Sequence, residues 1–256
     1  MIISRQPSMA TPALGYHPLY ARLFCTLLQE RGIDIDALLA CAGLHRTDVA
    51  SHARWIGHQH MHKLVRRARQ LHPDPLLGLA WGARLGEATH GTAGTAIYSS
   101  ADVRQGLHAL IGLAGLRAST AHPVLREGSS HATLELAPRL PFNDVHDILF
   151  DAMALMVLQM LAPLLGKAIG QVKVSMPFAA PDRHAHYHRY FPCDLGWGAP
   201  QLIFRLPLAL LDQACPLADA NVHQGAMRQC ELELLAADSS VAARVAGQLA
   251  RQHDRF

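Results

Sequence analysis

The sequence predicts an α+β fold, a helical N-terminal third followed by a small sheet covered by helices. Three observations predict it. Up to residue 120 the apolar residues recur at helical spacing, with capping and stop residues between the runs. At residue 120 the pattern changes: "TAHPVLRE" and "HATLELAP" flank Gly128-Ser129-Ser130, a hairpin signal. Beyond it, long helical and short alternating segments follow one another in the order β-β-α-β-α-β-β-α, which is the α+β pattern.

Each element has its own grounds. Pro18 opens a helix over 18–31, and Gly32 stands just past its end. Asp34 caps "IDALLACA" and Gly43 stops it. Met61, Leu64, Val65, Ala68 and Leu71 form one apolar stripe, which predicts a helix over 58–71. Another runs from Asp74–Pro75 to about Leu85. The small residues of "GTAGTAIY", 91–98, suit a short helix packed close to a neighbour, and Ser99 and Ser100 are expected to cap "ADVRQGLHALIGLAGLR". A long helix follows the hairpin from about Asp144 to Leu165. "IGQVKVSM" alternates as a strand does, 182–190 is a short helix, and "DLGW" and "QLIFRL" are short strands around "GAP". "PLALLDQ" is a helical turn, 217–236 an amphipathic helix, and "SSVAARVAGQLARQHDRF" starts one more.

Composition narrows the function. Half the residues are hydrophobic and 17% charged, so a substantial core can form. A formal charge of +3 is too mild to imply nucleic acid by itself. Cys25, Cys41, Cys193, Cys215 and Cys230 form no CxxC pair, which suggests reduced thiols in a cytoplasmic protein. "MIISRQPSMATPALG" has no apolar h-region, so no signal peptide is expected. The most membrane-like run, Ile148–Leu165, contains Asp151, Gln159 and Pro163; a buried helix is expected there, and no membrane partner.

Several clusters invite a chemical reading. "HAHYHRYFPCDLGWGAP" holds His184, His186, His188 and Cys193. On a strand the three imidazoles would share a face, a plausible zinc arrangement. The stretch instead begins with a helix-start signal, and on a helix only His184 and His188 share a face while Tyr187 and Phe191 turn to the core together. His58 and His62 are one turn apart, without the glutamate of an HExxH site. No metal and no cofactor is expected. Lys63, Arg66, Arg67 and Arg69 lie opposite the apolar stripe with no acid between 51 and 73; phosphate contact is one reading and a solvated polar face the simpler one. Asp144, Asp147 and Asp151 sit at a helix start, where dipole and capping account for acids, and His146 beside them reads as structural. No strand followed by GxGxxG, no P-loop, no GxSxG and no triad is present, so no enzyme is expected. Trp81, Tyr98 and Trp197 fall beside Gly or small residues, where aromatics either line a pocket or pack a core.

Four stretches carry a resemblance: "RGIDIDALLACAGL" (31–44), "LHPDPLLGLAWGARL" (71–85), "HGTAGTAIYSSADVRQGLHAL" (90–110) and "YHRYFPCDLGWGAPQLIFRLPLALLDQ" (187–213). In order and spacing the chain resembles the N-terminal effector domain of one branch of AraC-type transcriptional regulators. That domain is labelled arabinose-binding, although its members are not generally arabinose sensors. In the family pattern the histidines of the first-quoted cluster are filler. The positions that matter are Tyr187 or Tyr190, then Phe191, Trp197, Gly198, Ala199 and Pro200, with Trp197 where Phe is commoner.

The resemblance implies a ligand-sensing, homodimeric half of a cytoplasmic regulator. A C-terminal module with two helix-turn-helix motifs would read DNA, and the chain ends about where that module should begin. The expected layout is a tail over 1–17, an effector-sensing and dimerisation domain over 18–238, and an interdomain linker or module start over 239–256. From placement and chemistry, Tyr98, Arg117, Arg126, Met153, Val157 and Trp197 are expected to hold a small organic effector between the sheet and the long helix, with Arg117 or Arg126 on an anionic group. Val222, Met227, Leu232 and Leu235 are expected to form the dimer surface. The competing readings are a small His/Asp- or His/Cys-dependent enzyme and a ligand-free interaction module.

Overall fold

A computed structural model describes residues 14–51, 55–182 and 184–253. The expected tail and the absence of a leader therefore rest mostly on residues 1–13, outside the described ones. Gly15–Tyr16 (β1) already belongs to the fold. Pro18–Glu30 (α1) follows at its proline, and Ile35–Ala42 (α2) lies between Asp34 and Gly43 as expected. The Asp34 carboxylate accepts from the Asp36 N–H at 2.9 Å, satisfying a helix-start donor. Arg46–Ala50 (α3) is a short helix the sequence reading did not foresee. Ile56–Gly57 (β2) pairs antiparallel with β1, and His58–Leu71 (α4) leads directly out of it.

His58 and His62 of α4 belong to no metal-holding group among the described residues but reach the loop before the long helix. His62 is buried with Nε2 2.6 Å from the Phe142 carbonyl, and His58 Nε2 lies 3.3 Å from that of Pro141. They hold the loop that enters the long helix. The cations of α4 are not simply solvated either: Arg66 pairs with Asp144 at 2.8 Å and Arg69 with Asp147. Those pairs, rather than dipole and capping alone, explain the two acids.

Leu77–Gly82 (α5) is shorter than expected, because Asp74 Oδ1 caps Leu76 N–H at 2.8 Å ahead of it. Gly91–Tyr98 (α6) and Val103–Leu113 (α7) follow. Ser99 and Ser100 do not cap α7. Their hydroxyls donate back to the Thr95 and Ala96 carbonyls at 2.6 and 3.1 Å, and Asp102 is the cap, accepting from Gln105 N–H at 2.8 Å.

Ala121–Glu127 (β3) and His131–Pro138 (β4) form the expected hairpin. His146–Leu165 (α8) is the long helix. The stretch Asn143–Gln171 is apolar and long enough to cross a membrane, and 72% of its most apolar window is buried inside the protein. Of the expected strand over 169–176 only Lys173–Ser175 (β5) pairs; 166–171 is 3₁₀ helix, and Pro177, with no N–H for a ladder, follows two residues on. Asp194–Gly196 (β6) and Leu202–Pro207 (β7) complete a five-stranded sheet, order β3-β4-β7-β5-β6, with only β5–β6 parallel. Ala132, Leu134 and Leu136 of β4 alternate inward, as do Leu202, Phe204 and Leu206 of β7, and they share one buried cluster with α8.

Ala220–His253 (α9) is a single helix where two were expected. Asp219 Oδ1 caps it, accepting from Asn221 and Val222 N–H at 2.9 and 3.0 Å. Its buried side, Ala226 and Cys230, packs on Ala93 and Ala96 of α6. The small residues of α6 thus have the close neighbour their composition implied.

Candidate functional site

A cavity of about 100 Å³ lies where the helical third meets the sheet. Its floor is α8, where Met153, Met156, Val157 and Met160 recur three or four residues apart on one face. Methionines make that wall adaptable, since their thioether chains refill irregular space. Trp81 of α5 closes one side, because α5 lies directly on the α8 backbone. A Cβ on Gly78 would stand 2.5 Å from the Ile148 carbonyl oxygen, and one on Gly82 3.0 Å from Ala152 Cα. The Trp81 indole N–H donates to the Tyr20 carbonyl at 3.2 Å, so its ring is fixed. Ala93 and Ile97 of α6, Leu110 and Leu113 of α7, and Pro123 and Leu136 of the hairpin close the rest.

Polar groups in the wall are few: Tyr16, Tyr20, His90, Arg117 and Thr120. Burial pushes the Tyr16 phenol up to about 12, with a hydrogen bond to Thr120 acting against it. Tyr20 is also raised, by burial first, with the Arg117 charge lowering it and Tyr98 raising it. His90 is 1% exposed. Burial lowers its imidazole to about 4 against a backbone hydrogen bond at Leu85, and the Arg117 charge lowers it further. At neutral pH the wall therefore presents neutral hydroxyls, a neutral imidazole and one cation.

That cation is placed unusually. The Arg117 Nε and Nη2 donate to the His90 carbonyl at 3.2 and 2.8 Å. Among the described residues no carboxylate lies within ion-pairing reach of it. Arg31, Arg46, Arg66, Arg69, Arg84, Arg104 and Arg126 each have one, and what sets Arg117 apart from the other arginines is its place in the cavity wall.

Of the six residues expected to hold a ligand, the structure gathers Arg117, Met153 and Val157 around this cavity. The other three lie off it. Tyr98, the last residue of α6, is buried near Tyr20. Arg126 projects from β3 with its side chain 67% exposed and pairs with Glu135 at 3.1 Å. Trp197 packs edge-on against Tyr187, with ring centroids 5.0 Å apart, and against Phe178 at 5.7 Å. The cavity touches both the sheet and α8 as expected, but α1, α5, α6 and α7 enclose it too. Tyr20, His90 and Met156 were missed. A methionine stripe on α8 was visible as a pattern; nothing local marked Tyr20 or His90, which reach the wall only through the packing of α1 and α6.

The histidine cluster resolves differently from either expected form. His184–Arg189 is a 3₁₀ helix, with three residues per turn, so His184 and His188 do not share a face. His184, His186 and His188 are exposed, while Tyr187 and Phe191 stack inward at 6.1 Å. Among the described residues no group of three or more His, Cys, Asp or Glu is placed to hold a metal ion. Tyr187, of the two tyrosines considered, is the buried one: its hydroxyl lies 2.9 Å from both oxygens of Asp151. Asp151 is 2% exposed, and burial raises its carboxyl well above the usual range despite that bond. Unlike Asp144 and Asp147, it is an interior group. Burial also pushes Cys25, Cys193, Cys215 and Cys230 up to about 11, which keeps them thiols and poor nucleophiles.

Residues 32–215 match the family described as the arabinose-binding domain of AraC transcription regulators, N-terminal. The chain belongs to that family; it is a regulatory domain of the AraC type. It is 24% identical over 225 residues to the ornithine utilization regulator of Pseudomonas aeruginosa, an alignment covering 86% of this chain and 65% of that protein. Its fold also resembles the crystal structure of the transcriptional regulator CdpR from Pseudomonas aeruginosa, with a TM-score of 0.64 at 16% identity, over 93% of this chain and 71% of that one.

Proposed function

We propose that the chain senses a small organic effector in the cavity bounded by α8, Trp81 and Arg117. The observation that carries this reading is an apolar space with a few convergent polar groups in its wall, the usual form of a small-molecule site. Binding favours one arrangement of the domain over another, and that difference in affinity is what a regulator transmits. DNA is read by a separate helix-turn-helix module of a cytoplasmic protein. The domain dimerises through α9. Leu232 and Leu235 are 60% and 66% exposed, Val222 is 45% exposed ten residues earlier on the helix, and Met227 turns inward onto the core. A two-fold contact there holds two DNA-reading modules in fixed relation.

Native mass spectrometry of the purified chain, followed by titration with whatever co-purifies, tests the cavity. Met153→Trp fills the space and is expected to abolish binding, whereas Trp197→Ala, off the cavity, leaves it. The opposite pattern would move the site to the Trp197 cluster and overturn the assignment.

A further inference from the structure

We propose that the effector is a small carboxylate with an apolar body of about one ring, and that its carboxylate takes Arg117 over from the His90 carbonyl. This rests on the cavity being the effector site. Size bounds the body: a dry cavity of about 150 Å³ holds benzene, so this one, of about 100 Å³, admits no more than one ring, and that only as the flexible Met153, Met156 and Met160 side chains yield. Charge sets the head group. The cavity wall contains Arg117 and no Asp or Glu among the described residues. A guanidinium facing an apolar space with only a neutral carbonyl as partner is incompletely compensated. Its planar fork matches a carboxylate through two parallel N–H bonds, and the Tyr16, Tyr20 and Thr120 hydroxyls in the same wall are neutral donors that do not repel an anion. A single cation suits a monoanion; a phosphate dianion would leave charge uncompensated in an apolar wall.

The exchange has a path out of the cavity. The His90 carbonyl stands at the start of α6, and Gly91 adopts φ +52° with its missing Cβ position only 2.6 Å from Arg117 Nη2. Arg117 therefore braces the first turn of α6. That helix is one residue thick between ligand and linker: Ala93 lines the cavity and also packs on Ala226 and Cys230 of α9. His223 of α9 is held at 2.7 Å by the Ala96 carbonyl. Drawing Arg117 toward a ligand loosens the start of α6, and α9 registers the change.

Benzoate and its uncharged isostere benzamide, titrated calorimetrically into the whole chain, test this. Benzoate is expected to bind about tenfold tighter or more, the worth of one charged hydrogen-bonded pair. Arg117→Gln should remove that preference, so that benzoate binds no tighter than benzamide to the same variant, and Arg117→Lys should keep part of it. Hydrogen exchange of α6 and the first turns of α9 should change with benzoate in the wild type and not in Arg117→Gln. Equal binding of the two probes to the wild type, which needs no variant to fold, overturns the carboxylate assignment and leaves the cavity as a site for neutral ligands. Binding of neither overturns the assignment together with the sensing role of the cavity. Benzoate binding with unchanged exchange in α9 overturns the exchange of Arg117 as the signal.

Discussion

At the scale of single residues, two buried titratable groups give opposite pH signatures. His90 is lowered from 6.5 to about 4, so between those values the unfolded chain binds the proton and the folded one does not. Its contribution is complete above about pH 6.5, is lost as pH falls toward 4, and amounts to about 3 kcal/mol over the window. His90→Gln should flatten that part of the stability–pH curve in urea denaturation; a variant curve parallel to the wild type would mean His90 titrates normally. Asp151 has the reverse sign. Its folded carboxyl is raised, so its contribution is full below the ordinary carboxylate range and is lost as pH rises toward the raised value. Asp151→Asn keeps a neutral acceptor for Tyr187, and its stability relative to wild type should improve from pH 4 to pH 7. Tyr187→Phe leaves the carboxyl without that donor and should cost about 1–3 kcal/mol.

At the scale of elements, the contact between α5 and α8 shapes the Trp81 side of the cavity. A methyl group on Gly78 would meet backbone of Ile148 at 2.5 and 2.8 Å, atoms that cannot turn aside. Gly78→Ala is therefore expected to cost about 1–3 kcal/mol or more through overpacking. Gly112, exposed in α7 with nothing within 4 Å, is the control: Gly112→Ala should stabilise by about 0.5–1 kcal/mol through helix propensity. Equal effects at both positions, read from denaturation midpoints, would contradict the close approach. The basic helix α4 is a second case. With Arg66 and Arg69 engaged by the acids before and at the start of α8, two of the four cations, Lys63 and Arg67, are left to phosphate. These exposed pairs are worth about 0–1 kcal/mol each, and the chain alone is expected to give no sequence-specific shift of duplex DNA at physiological salt. A specific shift would make α4 part of the reader.

At the scale of the whole molecule, α9 packs on α6, a wall of the cavity, with one side and carries exposed leucines on the other. Leu232→Glu places a charge on the outer side, away from Cys230, which is fully buried. It should convert dimer to monomer in sedimentation at micromolar concentration without changing the folding free energy of the monomer by more than about 1 kcal/mol. A wild-type monomer under those conditions would remove α9 as the dimer surface.

What the sequence by itself determined was local. Pro18, Asp34 and Gly43 mark their helix boundaries because capping is a matter of backbone donors within one turn. The hairpin about Gly128 follows from spacing alone, whereas Tyr187 and Phe191 face inward together as expected but on a 3₁₀ turn and the segment after it rather than on an α-helix. Met153, Val157 and Arg117 were legible as candidates from their place in the helical and strand pattern. Tertiary structure decided the rest. Asp147 and Asp151 are both in the α8 sequence run, yet one meets an arginine from α4 and the other a buried phenol, and no local rule separates them. Ser99, Ser100 and Asp102 all offer oxygens before α7, and the choice fell to Asp102, which itself bridges Ala214 while Val103 N–H donates to the Gln213 carbonyl and Cys215 N–H to that of Ala101, late in the chain. His90 and Tyr20 join Arg117 only when α1, α6 and the segment after α7 converge. The character of that site, one cation against an apolar wall, belongs to the packing because burial and charge are properties of neighbours brought together in space.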